Sequence, residues 1–450
     1  MNCVLFGNNI YVTRGVHTHM NVEMLIAIIL FAATYIGLLI FPTWRAFIAL
    51  ASATIFVTIG YLPLKEVLTA VDWNVIMMLG GTMGIVTLFI ESRMPALLAD
   101  LIIAKMPNVK WAVLSLALFA GIVSAFIDNV ATVLMIAPLA ITIARKINIS
   151  PVDSIIAISV SSNLQGAATL VGDTTSILLG GHMGLSFADF FFYEGKIGLF
   201  WIVQAGALAS MVVLLFLFRK EKTVLTSMGR TVVKDYVPSI LLLLTIILLI
   251  LVSFIPKDTL PLVIADHANG FICMAMLLIG IVHRIIHERS IKALGDMLKE
   301  IDWFTLLLLS GLFIVIAGIT RAGVVAALGN LFARISGNNV FIAYTIIVGF
   351  SVLLSAFIDN IPYVATMLPV VATVGAQLGV DPTVLYFGLL TGATLGGNLT
   401  PIGASANIAA LGILRKVGNE VPPSRFMRIS VPFTLSAVLT GYVLVWLIWA

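Results

Sequence analysis

Apolar runs of about 20 residues recur along the whole chain, separated by short stretches that carry most of the charge. A helix of about 20 residues spans the hydrocarbon core of a bilayer. The runs place crossings near 23–40, 44–60, 73–91, 153–183 and 196–218, and again near 236–254, 268–284, 303–320, 383–414 and 429–449. Two further apolar stretches, 112–143 and 341–375, are long for one crossing and are broken near the middle by Asp-Asn. That pattern predicts two re-entrant hairpins, each entering and leaving on one side. The spans 153–183 and 383–414 are interrupted by Gly and Thr and predict two broken helices. The expected fold is therefore an all-α polytopic membrane protein with about ten transmembrane helices.

The breaks repeat. The sequence Ser-Ala-Phe-Ile-Asp-Asn occupies 124–129 and again 355–360. At the same offset Gly166, Thr169 and Gly172 fall on Gly397, Thr400 and Gly403, and Pro138 falls on Pro369. Asp72-Trp73 recurs as Asp302-Trp303, one residue off that offset. An internal repeat of this kind divides the chain into an N-terminal segment (1–21), a first repeat (22–218), a linker (219–235) and a second repeat (236–450). With five crossings in each half, the second repeat is expected to be inverted relative to the first.

Charge orients this map. With the 219–235 loop inside, the outward segments keep only Arg14, Lys65, Lys196, Lys257, Arg321 and Arg334 of the 25 Lys and Arg, and no Lys or Arg is left in a membrane core. The remainder lies inward, as the positive-inside rule requires, and both termini are expected outside the cell membrane. Trp44, Trp73, Trp111, Trp303, Trp446 and Trp449 sit near span ends, as an interfacial belt requires. The basic balance is thus topological and calls for no nucleic-acid partner. Only 10% of residues are charged and 60% are hydrophobic, which excludes a water-soluble enzyme. Two cysteines, Cys3 and Cys273, offer no disulfide framework or thiolate metal site.

Three carboxylates remain at depth: Asp128, Asp359 and Asp173. Glu91 is a fourth candidate at a span end. A single buried Asp can be a protonated side chain donating to a helix neighbour, but Asp-Asn at two matched repeat positions favours a shared functional site. The broken spans add neutral oxygens from Thr169, Thr174, Thr175, Ser176, Thr394, Asn398, Thr400, Ser405 and Asn407. Broken helices at corresponding positions of inverted repeats point to a transporter's midplane site. Close helix packing explains Gly80, Gly81 and Gly84 as well. Hard oxygen ligands, with no Lys, Arg or His expected at depth, suit Na⁺ or protons, with Asp128, Asp173 and Asp359 as metal ligands. Desolvation makes a proton and a cation compete for one charge at such carboxylates. No other cofactor is expected. Two intramembrane Asp also suggest an aspartyl protease, but the repeat and the absence of a fuller Gly-x-Gly-Asp pattern argue against it, and twin hairpins favour occlusion over a channel.

The two Ser-Ala-Phe-Ile-Asp-Asn motifs, the Gly-Gly-Asn-Leu-Thr-Pro-Ile-Gly-Ala-Ser-Ala-Asn stretch and Gly-Ala-Ala-Thr-Leu-Val-Gly-Asp-Thr-Thr-Ser resemble the ion transporter superfamily. That group contains the ArsB/NhaD permeases, P-protein-like and citrate-transporter-like domains and, more distantly, the divalent anion/sodium symporters. The resemblance covers residues 22 to 450. It implies a substrate held between hairpin tips and helix breaks, an elevator-like movement and a homodimer. Carried over, the site comprises Ser124, Asp128, Asn129, Thr169, Asp173, Thr174, Ser355, Asp359, Asn360, Thr400, Ser405 and Asn407. The divalent anion symporters carry Ser-Asn-Thr at the hairpin tips where this chain has Ile-Asp-Asn, and Asp173 is matched by Ala404, so the third carboxylate belongs to one half only. The reading that follows is a secondary transporter exchanging Na⁺ for H⁺ across the bilayer. An arsenite or antimonite permease and a Na⁺- or H⁺-coupled dicarboxylate or citrate symporter are the alternatives.

Overall fold

The computed structural model describes residues 2–6, 9–13, 22–147, 149–221, 223, 231–256, 259, 261–290 and 292–450. The expected linker 219–235 and N-terminal segment thus lie partly outside the described residues. Two short antiparallel strands, β1 (Asn2–Phe6) and β2 (Asn9–Thr13), precede the first helix. The first half then runs α1 (Val22–Ile40), α2 (Arg45–Thr58), α3 (Val67–Ala70), α4 (Trp73–Glu91), α5 (Met94–Ile103), α6 (Val109–Ser124), α7 (Asn129–Lys146), α8 (Val152–Gly166) and α9 (Thr174–Met183). A two-stranded turn, β3 (Phe192–Tyr193) with β4 (Lys196–Ile197), leads to α10 (Leu199–Leu217). The second half runs α11 (Val237–Ser253), α12 (Leu262–Glu288), α13 (Lys292–Glu300), α14 (Trp303–Arg321), α15 (Val324–Ile335), α16 (Val340–Ser355), α17 (Asn360–Leu378), α18 (Thr383–Gly396), α19 (Ser405–Lys416) and α20 (Pro423–Trp449).

The same caps start corresponding helices. Asp72 and Asp302 cap α4 and α14, their Oδ1 atoms accepting from Val75 N at 3.1 Å and Thr305 N at 3.0 Å. Asn108 and Asn339 cap α6 and α16 through Trp111 N and Ile342 N. Asp128 and Asp359 cap α7 and α17. A side-chain oxygen at this position satisfies an otherwise unpaired backbone donor of the first turn. Packing is reciprocal as well. Helix α12 lies along α4 and α2 lies along α14, α6 packs on α8 as α16 does on α18, and α7 meets α19 as α17 meets α9.

Among the described residues, eight helices are long and apolar enough to cross a membrane, or nine if α15 and α16, bent by 118°, count as one span. Helices α2 and α11 have 14 and 17 residues, and each interrupted span forms two half-helices. The arms that follow Asp-Asn, α7 and α17, run 18 and 19 residues and are long enough to cross on their own. Pro138 and Pro369 sit inside these arms without ending them. Four short helices, α3, α5, α13 and α15, occupy stretches between the apolar runs, where the pattern alone predicts loops. Positions 93 and 323, which precede α5 and α15, both adopt left-handed backbone, with φ 61° at Arg93 and φ 84° at Gly323.

Glycine permits the closest helix contacts. A Cβ on Gly81 would lie 2.5 Å from the backbone of Cys273, and one on Gly84 would lie 2.4 Å from Leu277. Gly80 has ordinary clearance, 3.7 Å to Leu306, so packing explains only two of the three. The tryptophan belt also needs one correction. Trp44, Trp73, Trp111 and Trp303 are exposed, but Trp449 is buried against Phe387 and Tyr193, its indole N–H donating to Ile197 O at 3.2 Å. The innermost elements are α8 and α18: every residue of α18, and every residue of α8 except Asp153, is buried.

Candidate functional site

The two helix breaks converge on the two Asp-Asn turns. After α8 the chain turns through Ala167–Gly172 and restarts at Thr174. After α18 it passes through a short 3₁₀ turn, Gly397–Leu399, and restarts at Ser405. Each break is tied to its own Asp-Asn turn by a threonine hydroxyl, Thr169 donating to Ala125 O and Thr400 donating to Ala356 O. Beside these bonds Gly172 and Gly403 sit against three backbone carbonyls each. A Cβ on Gly172 would lie 2.7 Å from Gly166 O, 2.8 Å from Ala125 O and 2.9 Å from Ser124 O. On Gly403 the corresponding distances are 2.6 Å to Gly397 O, 2.6 Å to Ser355 O and 2.8 Å to Ala356 O. Only glycine lets turn and break approach this closely.

Several of the twelve sequence-predicted residues are braces within this joint. Besides Thr169 and Thr400, Ser355 donates to Ala393 O at 2.5 Å. Asn407 donates to Gly397 O and Thr400 O and accepts from Ser159 at 2.7 Å. Asn129 donates to Asn163 Oδ1 at 2.9 Å, and Asn163 donates in turn to Thr394 O at 2.8 Å, crossing between the halves. Ser124 is buried with no partner for its hydroxyl among the described residues.

Asp128, Asp173 and Thr174 instead line a cavity of about 20 Å³ together with Thr82. A space of roughly 10–15 Å³ holds one water, so this one fits a single water or a small ion. Its remaining walls are mainly apolar, from Leu79, Met83, Val86, Ile127, Val171 and Ile177, and among the described residues no Lys, Arg or His lines it. Asp173 Oδ2 accepts from Thr175 Oγ1 at 2.7 Å and from Asn360 Nδ2 at 3.4 Å, so Asn360 of the second half reaches into the first half's cluster. Thr175 also lies 2.9 Å from the Thr394 hydroxyl. Asp128 Oδ1 accepts from Ala131 N at 3.0 Å, and no side chain among the described residues donates to this carboxylate.

Asp359 lies in different surroundings. Its Oδ1 accepts from Ile361 N at 3.1 Å, but its Oδ2 faces Arg45 Nη1 at 2.9 Å and the Ser405 hydroxyl at 3.4 Å. Arg45 was expected among the inward loop charges, with no Lys or Arg at depth. Instead its stem folds back from the start of α2, Nε donates to Leu38 O at 3.0 Å, and the head pairs with the buried carboxylate. A long side chain can carry a charge well away from its backbone position. The Asp359 cavity is smaller, about 10 Å³, lined by Tyr35, Arg45, Asp359 and Pro362 with apolar neighbours. Tyr35 donates to Pro362 O at 2.6 Å and also bonds the Thr366 hydroxyl. Asp359 is therefore not equivalent to Asp128. Glu91 plays no part at depth, since it is exposed and pairs with Arg284 at 2.9 Å. His182, in the last turn of α9, is half-buried, and its Nε2 lies 2.9 Å from the Tyr386 hydroxyl.

Sequence reasoning missed Arg45, Tyr35 and Thr82 as residues of the site. It also missed the mutual amide pair of Gln165 and Gln204, at 3.0 and 2.6 Å, although Gln165 stands in a polar run that marks the first break.

Comparison with known proteins agrees with this architecture. A family model described as citrate transporter (CitMHS) matches residues 28–392. The 46 kDa membrane protein of Mycobacterium leprae is 30% identical over 441 residues, covering 94% of this chain and 98% of that protein. The human P protein is 25% identical over 473 residues, covering 87% of this chain but 56% of that protein. Among solved structures, the YdaH transporter of Alcanivorax borkumensis superposes with a TM-score of 0.57 at 14% identity, covering 94% of this chain and 97% of that one. MtrF of Neisseria gonorrhoeae gives 0.54 at 13% identity, with 95% of each chain covered. The fold is that of membrane transporters, and the chain belongs to the CitMHS citrate transporter family of secondary transporters.

Proposed function

We propose that this transporter exchanges protons for Na⁺ at the Asp128–Asp173 cavity, moving between inward- and outward-facing states by an elevator-like displacement. The observation that carries this reading is a single-ion cavity walled by two carboxylates and two threonines with no fixed cation among its lining residues. Two carboxylates close together in a low-dielectric setting cannot both stay charged without a counter-ion, so a proton and a metal cation compete for them. Thr174 and Thr82 add hard oxygens to the shell, while the Asn360 amide donates to the Asp173 carboxylate. In this reading the working unit is a homodimer in the cell membrane, with both termini outside.

A Na⁺- or H⁺-coupled citrate or dicarboxylate symport is the second reading, favoured by the description of the matching family. It uses the same cation site and adds an organic anion. Both are tested in vesicles reconstituted with the purified full chain and a pH-sensitive dye. Exchange requires that Na⁺ or Li⁺ dissipate a preformed proton gradient without any organic anion, and that Asp128→Asn abolish this. Symport requires radiolabelled citrate uptake that depends on the same cation. A wild type that is silent toward Na⁺ and Li⁺, together with citrate uptake, rejects exchange in favour of symport.

A further inference from the structure

The two Asp-Asn turns carry the same carboxylate, yet only one of them meets a fixed positive charge. The helix contacts set the register between the halves. A Cβ on Gly81 of α4 would touch Cys273 of α12, and a Cβ on Gly311 of α14 would touch Ala49 of α2 at 2.8 Å. Gly318 of α14 meets Phe56 of α2 just as Gly280 of α12 meets Leu88 of α4. In that register position 45 of α2 corresponds to Asn269 of α12, a neutral amide. Where the second half places a guanidinium on its carboxylate, the first half has an amide at the matched position and a larger cavity beside Asp128 and Asp173.

We propose that the Arg45 guanidinium is a tethered cation: it occupies at Asp359 the place a mobile cation takes at Asp128, so the second half carries the charge balance but no transported ion. A carboxylate at membrane depth needs a proton, an ion or a fixed cation beside it. Arg stays charged under all physiological conditions and is more weakly hydrated than an ammonium, which suits it to a buried pair. Its second bond, to Leu38 O, holds the head on Asp359 through the chain that leads into α2. The Ser405 hydroxyl adds a neutral oxygen beside Asp359, as Thr174, its repeat counterpart, does in the first-half cavity. Arg45 thereby sets the number of coupling ions. This inference rests on the reading that the Asp128–Asp173 cavity takes a cation.

The test is the number of radioactive Na⁺ ions bound per chain by the purified full-length protein, with choline as the competing control. Wild type is expected to bind one. Arg45→Gln opens Asp359 and is expected to bind two, about a twofold rise, because an uncompensated carboxylate recruits its own counter-ion. Arg45→Gln combined with Asp359→Asn is expected to return to one. A monodisperse Arg45→Gln protein that still binds one Na⁺ overturns the tethered cation and leaves the Asp128 reading intact. A wild type that binds none, with an Arg45→Gln protein that binds one, overturns the Asp128 reading and with it the equivalence of the two sites, and leaves only the exclusion of an ion from Asp359 by Arg45. Should Arg45→Gln alone fail to fold, the neutral double variant decides: one bound Na⁺ upholds the proposal, and none in a wild-type-competent preparation shows that Asp359 is itself a ligand and overturns it.

Discussion

Gly172→Ala is the sharpest probe of the joint between turn and break. The added Cβ would meet Gly166 O, Ala125 O and Ser124 O at 2.7–2.9 Å, distances that real Cβ atoms essentially never show. All three neighbours are backbone, so no side chain can swing aside to relieve the overlap. Overpacking of this kind costs about 1–3 kcal/mol. The strain falls between the Ser124–Asp128 turn and the break that carries Asp173, two walls of the Asp128–Asp173 cavity. If the joint yields by moving apart, cation affinity falls by about 5- to 150-fold, the equivalent of that energy. If it does not yield, the same energy appears as a lower unfolding temperature. Gly349→Ala is the control: Gly349 lies inside α16 with nothing within 4 Å of an added Cβ, and the exchange should be neutral or stabilise by roughly 0.5–1 kcal/mol. The assay is Na⁺-dependent thermal unfolding of the detergent-solubilised chain. A Gly172→Ala protein with wild-type midpoint and wild-type Na⁺ response refutes the close approach of turn and break.

Thr169→Val and Thr400→Val each leave a carbonyl of the Asp-Asn turn without its hydroxyl donor, and each should destabilise by about 1–3 kcal/mol in thermal unfolding. Only the first should also weaken Na⁺ binding, because its turn walls the open cavity. Asp173→Asn keeps the shape of the side chain but removes its charge; proton flux driven by a Na⁺ gradient should be lost while the protein stays monodisperse in size-exclusion chromatography. Arg93→Gly should raise the unfolding midpoint, since Arg93 is left-handed and a non-glycine residue there costs about 1–2 kcal/mol. Glu91→Gln breaks an exposed pair with Arg284 and should change stability by less than about 1 kcal/mol.

The recurring turn-and-break motifs were legible because they rest on chemistry that cannot be exchanged cheaply. Asp-Asn at a helix start, Gly172 and Gly403 against three carbonyls, and Thr169 and Thr400 as ties each admit few alternatives, so the same letters recur at the same spacing. The short helices α5 and α15 were not legible, because 10 and 12 residues of mixed apolar character read equally well as loop or helix. Arg45 was hidden for another reason. A basic residue at a span end carries the signature of topology, and nothing in one dimension says that its side chain turns back towards a carboxylate 314 positions away. Thr169, Thr400, Ser355 and Asn407 were legible as oxygens near the breaks, but their bonds to Ala125 O, Ala356 O, Ala393 O and Gly397 O, which brace the joint, depend on the fold and are not written in one dimension.

Helix α8 holds Ser159, Ser161, Ser162, Asn163 and Gln165 out of reach of lipid; Ser162 and Gln165 bond to Asn129 and Gln204 of the first half, but the Ser159 hydroxyl and the Asn163 amide N–H donate to Asn407 and Thr394, 248 and 231 residues further on. A ribosome delivers those partners only near the end of the chain. Until then this segment sits in the bilayer, or at the insertion machinery beside it, with polar groups that hydrocarbon cannot serve. The first half therefore waits for the second to complete two of its buried donors, and a nascent chain that stops at the linker leaves them unserved at membrane depth.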